Sequence, residues 1–320
     1  MSGTTIAVAL SASVVLLLVG LVVFTAVTAR RVERALPPTG QFIELNGARI
    51  HYIDRGQGPL TLLFVHGLGG NAMHFTHSVV DRLAHDFRVV VMDRPGSGYS
   101  TRADRAAAGP IAQAEIVAAF IRALDLDRPV LVGHSLGGAI SLAVAVAHPT
   151  LVRGLALIAP LTMLQPRSPA VFKGLMVGSP RLRQAIGWTV AAPLFIARRA
   201  VMLDVIFGPE SVPANFAIAG GGLLGMRPSA FVSASTDLMA VPADMPRLVK
   251  RYTTLQLPIS VLYGTHDRIL DPALHGEQFR ALLPHVQLDY VEGAGHMLPL
   301  TVPERVVGIV REVADRARSG

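Results

Sequence analysis

Residues 129–147 read PVLVGHSLGGAISLAVAVA, and this stretch decides the fold. It opens with a short apolar run that is typical of a strand. From Gly138 onward it is rich in Ala and Leu, which favours a helix. Between the two parts, Gly133 to Gly137 matches the pattern G-x-S-x-G. A serine on a sharp turn between a strand and a helix forms a nucleophile elbow, so Ser135 is the candidate nucleophile.

Short apolar runs of the same kind recur along the chain and alternate with helical patterns. Runs that are apolar on both faces are typical of parallel strands covered by helices on both sides. They lie at residues 60–65, 89–92, 130–132, 155–158, 259–263 and 288–291. Residues 42–46 and 49–54, joined by Gly47, are typical of an antiparallel hairpin. The sequence therefore predicts a mostly parallel α/β sheet. Separately, the residues from Thr301 to Glu304 predict a capping box at the start of the last helix.

This alternation stops between residues 161 and 256. The stretch has scattered helical patterns, many Pro and Gly residues and no strand signal of its own. It is too long to be a loop inside a compact domain. We therefore predict that residues 41–160 and 257–320 form two parts of one core, and that residues 161–256 are inserted as a helical lid.

A serine nucleophile of this kind needs a histidine late in the chain and an acid before it. His296 follows the last predicted strand, and Asp267 comes immediately after the strand at residues 259–263. The order Ser135, Asp267, His296 is the one expected after a nucleophile elbow. Asp271 is the alternative acid, but it precedes Pro272 at a predicted helix start, where an N-cap role suffices.

A tetrahedral oxyanion needs two fixed N–H donors. The Leu136 N–H, at the start of the predicted helix, is one candidate. The second is the Leu68 N–H in the glycine-rich loop from His66 to Asn71, which follows the strand at residues 60–65. We interpret His66 as a residue that shapes this loop, because it lies at a strand end beside the glycines.

Taken together, these pieces resemble the α/β-hydrolase superfamily. The matching motifs are His66–Gly70, Asp93–Gly98, Gly133–Gly138, Gly264–Asp267 and Gly293–His296. The resemblance implies an eight-stranded, mostly parallel sheet, a lid after the sixth strand, and serine hydrolase chemistry without a cofactor. No metal site is expected. The nucleophile is Ser, whereas members that resemble epoxide hydrolases or haloalkane dehalogenases carry Asp.

The motifs leave the substrate open. A carboxylic ester is the favoured substrate, and a lipid-like ester is suggested by the architecture, which is similar to that of membrane-anchored monoacylglycerol-type lipases. An acyltransferase, a thioesterase, an amidase or a perhydrolase would carry the same motifs. A non-catalytic binding protein on the same scaffold is a further alternative.

The N-terminal segment is typical of a membrane anchor. Residues 1–29 contain no charged side chain, and residues 6–27 are almost continuously apolar. As a helix this run is about 33 Å long, enough to cross a hydrocarbon core of about 30 Å. We expect residues 1–29 to be an uncleaved single span and residues 30–40 a linker, with a cleaved signal peptide as the alternative. Because Arg30, Arg31 and Arg34 follow the span, the positive-inside rule predicts a cytoplasmic catalytic domain.

The charge distribution indicates what the lid contacts. The chain has a net charge of +7 and no cysteine, which excludes thiol nucleophiles and thiolate metal sites. Residues 161–256 carry ten basic and four acidic residues, a net charge of +6, in a segment rich in Leu, Met, Phe and Ala. Basic and apolar side chains together suit an anionic membrane surface better than a nucleic acid groove. The expected partners are therefore a small-molecule ester and a membrane, contacted by the anchor and the basic lid, and not nucleic acid.

Overall fold

The computed structural model describes residues 3–103, 106–166 and 169–319. The first two residues of the predicted anchor and residues 167–168 of the predicted lid lie outside these ranges. Within the described ranges, eight strands form one sheet. They are β1 Gln41–Leu45, β2 Ala48–Arg55, β3 Thr61–Val65, β4 Arg88–Met92, β5 Val130–His134, β6 Gly154–Ile158, β7 Ile259–Gly264 and β8 Gln287–Val291.

The strands lie in the order β1-β2-β4-β3-β5-β6-β7-β8. The β1–β2 and β2–β4 pairs are antiparallel, and every other pair is parallel. Strands β3, β5 and β6 are buried at every position, because helices cover both faces of the sheet there. This burial is why their sequences are mostly apolar and do not alternate with polar residues. The predicted eight-stranded, mostly parallel α/β fold is confirmed.

Seven of the described helices belong to the core. They are α2 Met73–Thr76, α3 Val80–Leu83, α4 Pro110–Ala123, α5 Leu136–Ala147, α9 Gln278–Leu282, α10 Leu298–Thr301 and α11 Pro303–Ser319. The capping box predicted at residues 301–304 is wrong. Thr301 ends α10 and its hydroxyl donates to Met297 O at 3.4 Å, while Glu304 pairs with Arg82 at 3.0 Å.

The chain between β6 and β7 contains three helices, α6 Pro180–Trp188, α7 Ala191–Phe207 and α8 Pro228–Val249. Short 3₁₀ helices lie at Ala170–Leu175, Gly222–Met226 and Tyr252–Thr254. Val241, Met245 and Leu248, in the second half of α8, are buried in the main hydrophobic core. The insertion therefore contributes side chains to the core.

The N-terminal helix α1, Gly3–Ala35, is long and apolar enough to cross a membrane. Residues 4–20 are exposed along its first part. The helix continues to Ala35, six residues into the segment predicted as a linker. The last turns are ordered by packing, because Val32 and Leu36 form a buried cluster with Leu224 of the insertion.

Candidate active site

Ser135 lies on the turn between β5 and α5 with φ 55° and ψ −121°. This conformation is strained for a residue with a side chain, and such strain is typical of functional positions. The turn is held from both sides. Ser135 N donates to Ile158 O at 3.0 Å, and Ser135 O accepts from Gly138 N at 2.9 Å and Leu161 N at 3.0 Å.

The loop after β3 passes directly beside Ser135. A Cβ added to Gly67 would lie 2.8 Å from the Cβ of Ser135, and one added to Gly137 would lie 2.0 Å from the Val65 carbonyl oxygen. Only glycine permits backbone segments to approach this closely. The Leu68 and Leu136 N–H groups donate to no acceptor within the described parts of the chain. Two unpaired donors beside a strained serine are the arrangement that an oxyanion requires.

The orientation of the Leu68 N–H is set by the preceding carbonyl. Gly67 O accepts from Arg94 Nη2 at 2.9 Å, from His66 Nδ1 at 2.9 Å and from Gly70 N at 3.2 Å. In a trans peptide the N–H points opposite to the C=O. The Leu68 N–H is thus directed away from Arg94.

Asp267 and His296 follow the ends of β7 and β8. His296 Nδ1 donates to Asp267 Oδ2 at 2.7 Å, and the Asp267 side chain is fully buried. The other oxygen, Oδ1, accepts from Ile269 N at 2.8 Å and Leu270 N at 3.0 Å. With Nδ1 acting as donor, Nε2 of His296 is left as the acceptor that a general base needs.

The elements that carry Ser135 and His296 meet through His134. His134 Nε2 donates to the His296 carbonyl oxygen at 3.0 Å, and the two rings lie 4.9 Å apart. Burial, and then the charge of His296, lowers the pKa of His134 well below its usual range, which favours the neutral ring. The sequence analysis did not single out His134. The available signal was its place next to Ser135 inside the G-x-S-x-G pattern.

The other polar residues considered from the sequence, Asp271, His266 and His66, make contacts that a structural role explains. Asp271 is exposed and accepts from Ala273 N at 2.9 Å, at the start of the helical segment Ala273–Glu277 that continues into α9. His266 is exposed and bonds Thr265. His66 Nε2 accepts from Arg94 N at 3.0 Å, and burial followed by the charge of Arg94 lowers the pKa of His66. These contacts bring Asp267, and not Asp271, to His296.

Asp93, which opens the motif Asp93–Gly98, connects three segments around the site, and the sequence did not predict these contacts. Its Oδ1 accepts from Ala72 N at 2.7 Å, and Oδ2 accepts from Tyr99 N at 2.8 Å and His51 Nδ1 at 2.7 Å. A Cβ on Gly98 would lie 2.0 Å from the Asp93 carboxyl carbon. The carboxylate therefore fixes the end of the loop that contains Leu68.

Arg94 is a buried cation that bonds both this loop and the insertion. It donates to His66 O at 2.8 Å, to Gln113 Oε1 at 2.8 Å and to Asp237 Oδ2 at 2.7 Å, in addition to Gly67 O. Asp237 lies on α8 and is fully buried. Sequence patterns gave no indication of this pair, because its two members are far apart in the chain and belong to no common motif.

No group of three or more His, Cys, Asp or Glu side chains that could hold a metal ion is found within residues 3–103, 106–166 and 169–319. What the site offers is a serine, an acid-paired imidazole and two free N–H donors. This set can transfer an acyl group through a covalent intermediate.

Comparison with known proteins gives the same fold. The family model described as the alpha/beta hydrolase family matches residues 62–309. An uncharacterized protein of Mycobacterium tuberculosis is 29% identical over 310 residues, covering 89% of this chain and 84% of the relative.

Two solved structures are similar in fold. A thermophilic esterase from Thermogutta terrifontis has a TM-score of 0.68 and 24% identity, and the match covers 87% of this chain and 99% of the esterase. A membrane phospholipase A, described as a bacterial virulence factor, has a TM-score of 0.66 and 24% identity. That match covers 99% of this chain and 98% of the phospholipase, so it extends over α1.

Proposed function

Because the chain belongs to the alpha/beta hydrolase family, we propose that it is a serine hydrolase that cleaves carboxylic esters through an acyl-enzyme on Ser135. The observation that carries this proposal is the pair of unpaired N–H groups, Leu68 in the loop beside Ser135 and Leu136 directly after the strained Ser135. The Asp267–His296 hydrogen bond supplies the base beside them.

In the proposed mechanism, His296 Nε2 takes the proton of Ser135 Oγ as this oxygen attacks the ester carbonyl carbon. The carbonyl oxygen becomes an oxyanion that accepts hydrogen bonds from the Leu68 and Leu136 N–H groups, while Asp267 stabilises the imidazolium. Collapse of the intermediate expels the alkoxide, which leaves as the alcohol with the proton held by His296. Water then attacks the acyl-enzyme with His296 again as base, releasing the carboxylic acid and restoring Ser135.

We propose that α1 anchors the enzyme in a membrane as a single span. Exposed apolar side chains along residues 4–20 support this, and so does the fold match to a membrane phospholipase A over nearly the whole chain. Arg30, Arg31 and Arg34 follow the apolar stretch and favour a cytoplasmic catalytic domain. A phosphatase fused to the C-terminus should be inactive when α1 has this orientation. An active fusion in the periplasm would reverse it, and a mature chain starting near Arg30 would make α1 a signal peptide.

We further propose that the substrate is a lipid-like ester taken from the same membrane. The outer face of α6 and α7, hereafter the lid face, exposes Leu182, Trp188, Leu194 and Val201 to between 45% and 70%. Arg181, Arg198 and Arg199 are exposed on the same two helices. An apolar surface edged by arginines suits the boundary between headgroups and acyl chains.

The packing of α1 supports this placement of the lid face. Thr25 of α1 is fully buried and its hydroxyl donates to Thr189 O, between α6 and α7, at 3.2 Å. Thr25 precedes Arg30 by five residues, about 7.5 Å along a helix at 1.5 Å per residue. With Arg30 at the lipid headgroups, the α6–α7 junction lies about 7.5 Å deeper in the bilayer. Interfacial helices bury their apolar faces to a similar depth, about 5–10 Å.

The test of the proposed function is labelling by a fluorophosphonate probe together with hydrolysis of p-nitrophenyl esters of increasing chain length. Ser135→Ala should remain folded and lose both labelling and turnover, because the nucleophile is gone. An enzyme that has lost one member of such a triad typically still accelerates the reaction about 10³- to 10⁴-fold over water, far less than the intact triad does. Near wild-type turnover by Ser135→Ala would refute the proposal.

A further inference from the structure

The end of α7 and the residues after it lie directly against the two loops that carry Asp267 and His296. This segment, residues 204–210, is called the lid strap below. Arg268, next to Asp267, donates to Asp204 O at 3.2 Å and to Asp204 Oδ2 at 3.3 Å. A Cβ on Gly295, next to His296, would lie 2.3 Å from Gly208 O.

The strongest contact of the lid strap is made by Glu210. Its Oε2 accepts from the Gly295 N–H at 2.6 Å. A short hydrogen bond to a carboxylate is among the stronger ones in proteins. The other oxygen, Oε1, is buried and has no hydrogen-bond partner among the described residues. One oxygen therefore makes the contact, and a neutral amide at this position could make it as well.

Apolar contacts hold the other side of the same loop. Phe207 and Phe216 of the insertion form a buried cluster with Met297 and Leu300, which follow His296. The Phe207 and Phe216 rings lie 4.9 Å apart in an edge-to-face arrangement. The insertion thus contacts the residue before His296 and the residue after it.

Each part of His296 is therefore fixed by a different neighbour. Asp267 holds its ring nitrogen Nδ1, and His134 holds its carbonyl oxygen. Glu210 holds the N–H of Gly295, the residue before His296. Of the three, only Glu210 belongs to the insertion.

We propose that Glu210 is a positioning residue, which acts from the lid through the Gly295 N–H to set the distance between His296 and Ser135. The inference rests on the proposed function, in which His296 takes the Ser135 proton. A misplacement of about 1 Å at a reacting group can cost about 100-fold in rate. Detaching the lid strap should therefore lower the rate of the chemical step and leave binding of a small substrate unchanged.

The experiment compares full-length Glu210→Ala and Glu210→Gln in detergent micelles, with p-nitrophenyl acetate as substrate. Glu210→Ala removes the acceptor of the Gly295 N–H, so kcat should fall about 10- to 100-fold with KM unchanged. Glu210→Gln keeps an accepting oxygen, so kcat should stay within about threefold of wild type. A residue that only stabilises the lid would not give this separation of kcat from KM or this rescue.

Asp244→Ala is the matched control. Asp244 is also a carboxylate of the insertion that accepts a core N–H, but its partner is Ile111 N at the start of α4, at 3.0 Å. Its loss should lower the melting temperature and leave kcat unchanged. Equal losses of kcat in Glu210→Ala and Asp244→Ala would overturn the inference, because general destabilisation would then explain both.

Two further comparisons separate the possible failures. If Ser135→Ala is inactive and Glu210→Ala has wild-type kcat, the inference fails and the proposed function stands. If Ser135→Ala is active, the proposed function itself fails. Should Glu210→Ala not fold, Glu210→Asp shortens the side chain that accepts from the Gly295 N–H, and a kcat that is unchanged in this variant overturns the inference.

Discussion

The core and the outer surface of the insertion use charged side chains in opposite ways. In the core, the side chains of Asp93, Arg94 and Asp267 are buried and each is held by several hydrogen bonds. On the lid face, Arg198 and Arg199 are exposed and have no partner among the described residues. Charges of the first kind fix geometry, whereas charges of the second kind remain available to another surface.

The insertion itself contains both kinds of charge. Glu210 and Asp237 face inward. Glu210 bonds Gly295, next to His296, and Asp237 bonds Arg94, which donates to the carbonyl before Leu68. The buried, hydrogen-bonded charges are therefore separated from the exposed ones by the two faces of the insertion, and not by its boundaries at residues 161 and 256. Substitutions on the two faces should have different consequences, and the following predictions test that difference.

The largest effect is expected within the core. Asp267→Asn should lower kcat about 10⁴-fold, because an amide no longer holds His296 in the tautomer that leaves Nε2 as acceptor. Asp271→Asn should leave kcat nearly unchanged, because Asp271 only accepts from Ala273 N. Steady-state hydrolysis of a p-nitrophenyl ester measures both. A reversed result would mean that Asp271 is the acid.

The inner face of the insertion should behave as the core does. Asp237→Ala leaves the buried Arg94 guanidinium without its counter-charge, and Arg102 loses the same partner. Breaking one side of a buried pair typically costs about 3–5 kcal/mol of unfolding free energy. Denaturant unfolding followed by circular dichroism measures this loss.

Asp204→Ala provides the comparison for that measurement. Asp204 lies in the same insertion and also pairs with an arginine, Arg268, but 74% of its side chain is exposed. Exposed pairs of this kind contribute about 0–1 kcal/mol. Equal losses in the two variants would remove the distinction between the inner face and the surface.

The sequence predicts the core well because its strands and loops carry local signals. The runs around β3, β5 and β6 are mostly apolar and fully buried, and the glycines beside Ser135 mark backbone approaches that a Cβ would block. The candidate residues Ser135, Asp267 and His296 each follow a strand of the same sheet. Residues in such positions meet at one edge of a parallel sheet, so their proximity follows from the topology.

The inner contacts of the insertion could not be predicted in the same way. Asp237 meets Arg94 across 143 residues, and Glu210 meets Gly295 across 85 residues. Neither acid lies in a motif, and a single carboxylate in the insertion has no sequence pattern that distinguishes a buried partner from solvent. The length of α1 was missed for a related reason, since its last turns are ordered by Leu224 and by Arg227, which pairs with Glu33 at 3.5 Å.

The outer face should affect membrane binding and leave the chemistry unchanged. In a chain beginning at residue 21, which keeps the docked part of α1, Arg198→Gln with Arg199→Gln should weaken binding to anionic vesicles at low salt. Each basic residue near such a surface contributes about 1 kcal/mol, so the pair should cost about 30-fold in affinity. Vesicle sedimentation measures binding, and hydrolysis of a soluble short-chain ester should be unaffected.

Arg55→Gln with Arg128→Gln is the matched control, because both arginines are exposed on the core. The same change in net charge at that site should alter vesicle binding much less. High salt should abolish the difference between the two double variants, since screening shortens the field of exposed charges. Equal effects of the two pairs would mean that net charge, and not the lid face, determines binding.

The smallest expected effect concerns a buried charge where the anchor segment joins the core. His51 lies in β2, with Nδ1 2.7 Å from Asp93 Oδ2 and Nε2 2.8 Å from Thr39 O. Both partners are acceptors, so both ring nitrogens are satisfied only when the imidazole carries two protons. Burial alone would lower the pKa of His51, but the hydrogen bond and charge of Asp93, with the Thr39 carbonyl, raise it above its ordinary value of 6.5.

A raised pKa makes the folded state bind this proton more tightly than the unfolded chain does. The resulting stabilisation is complete below the unfolded pKa of 6.5 and is lost as the pH rises through the higher pKa of the folded state. His51→Gln cannot titrate, so its deficit in unfolding free energy relative to wild type should shrink over the pH interval that begins at the unfolded pKa of 6.5 and extends upward. Other groups titrate in both proteins and cancel in this difference. A deficit that stays constant over this interval would mean that His51 is neutral in the folded state. His51 would then not be a buried charge fixed by hydrogen bonds, as Asp93 and Arg94 are.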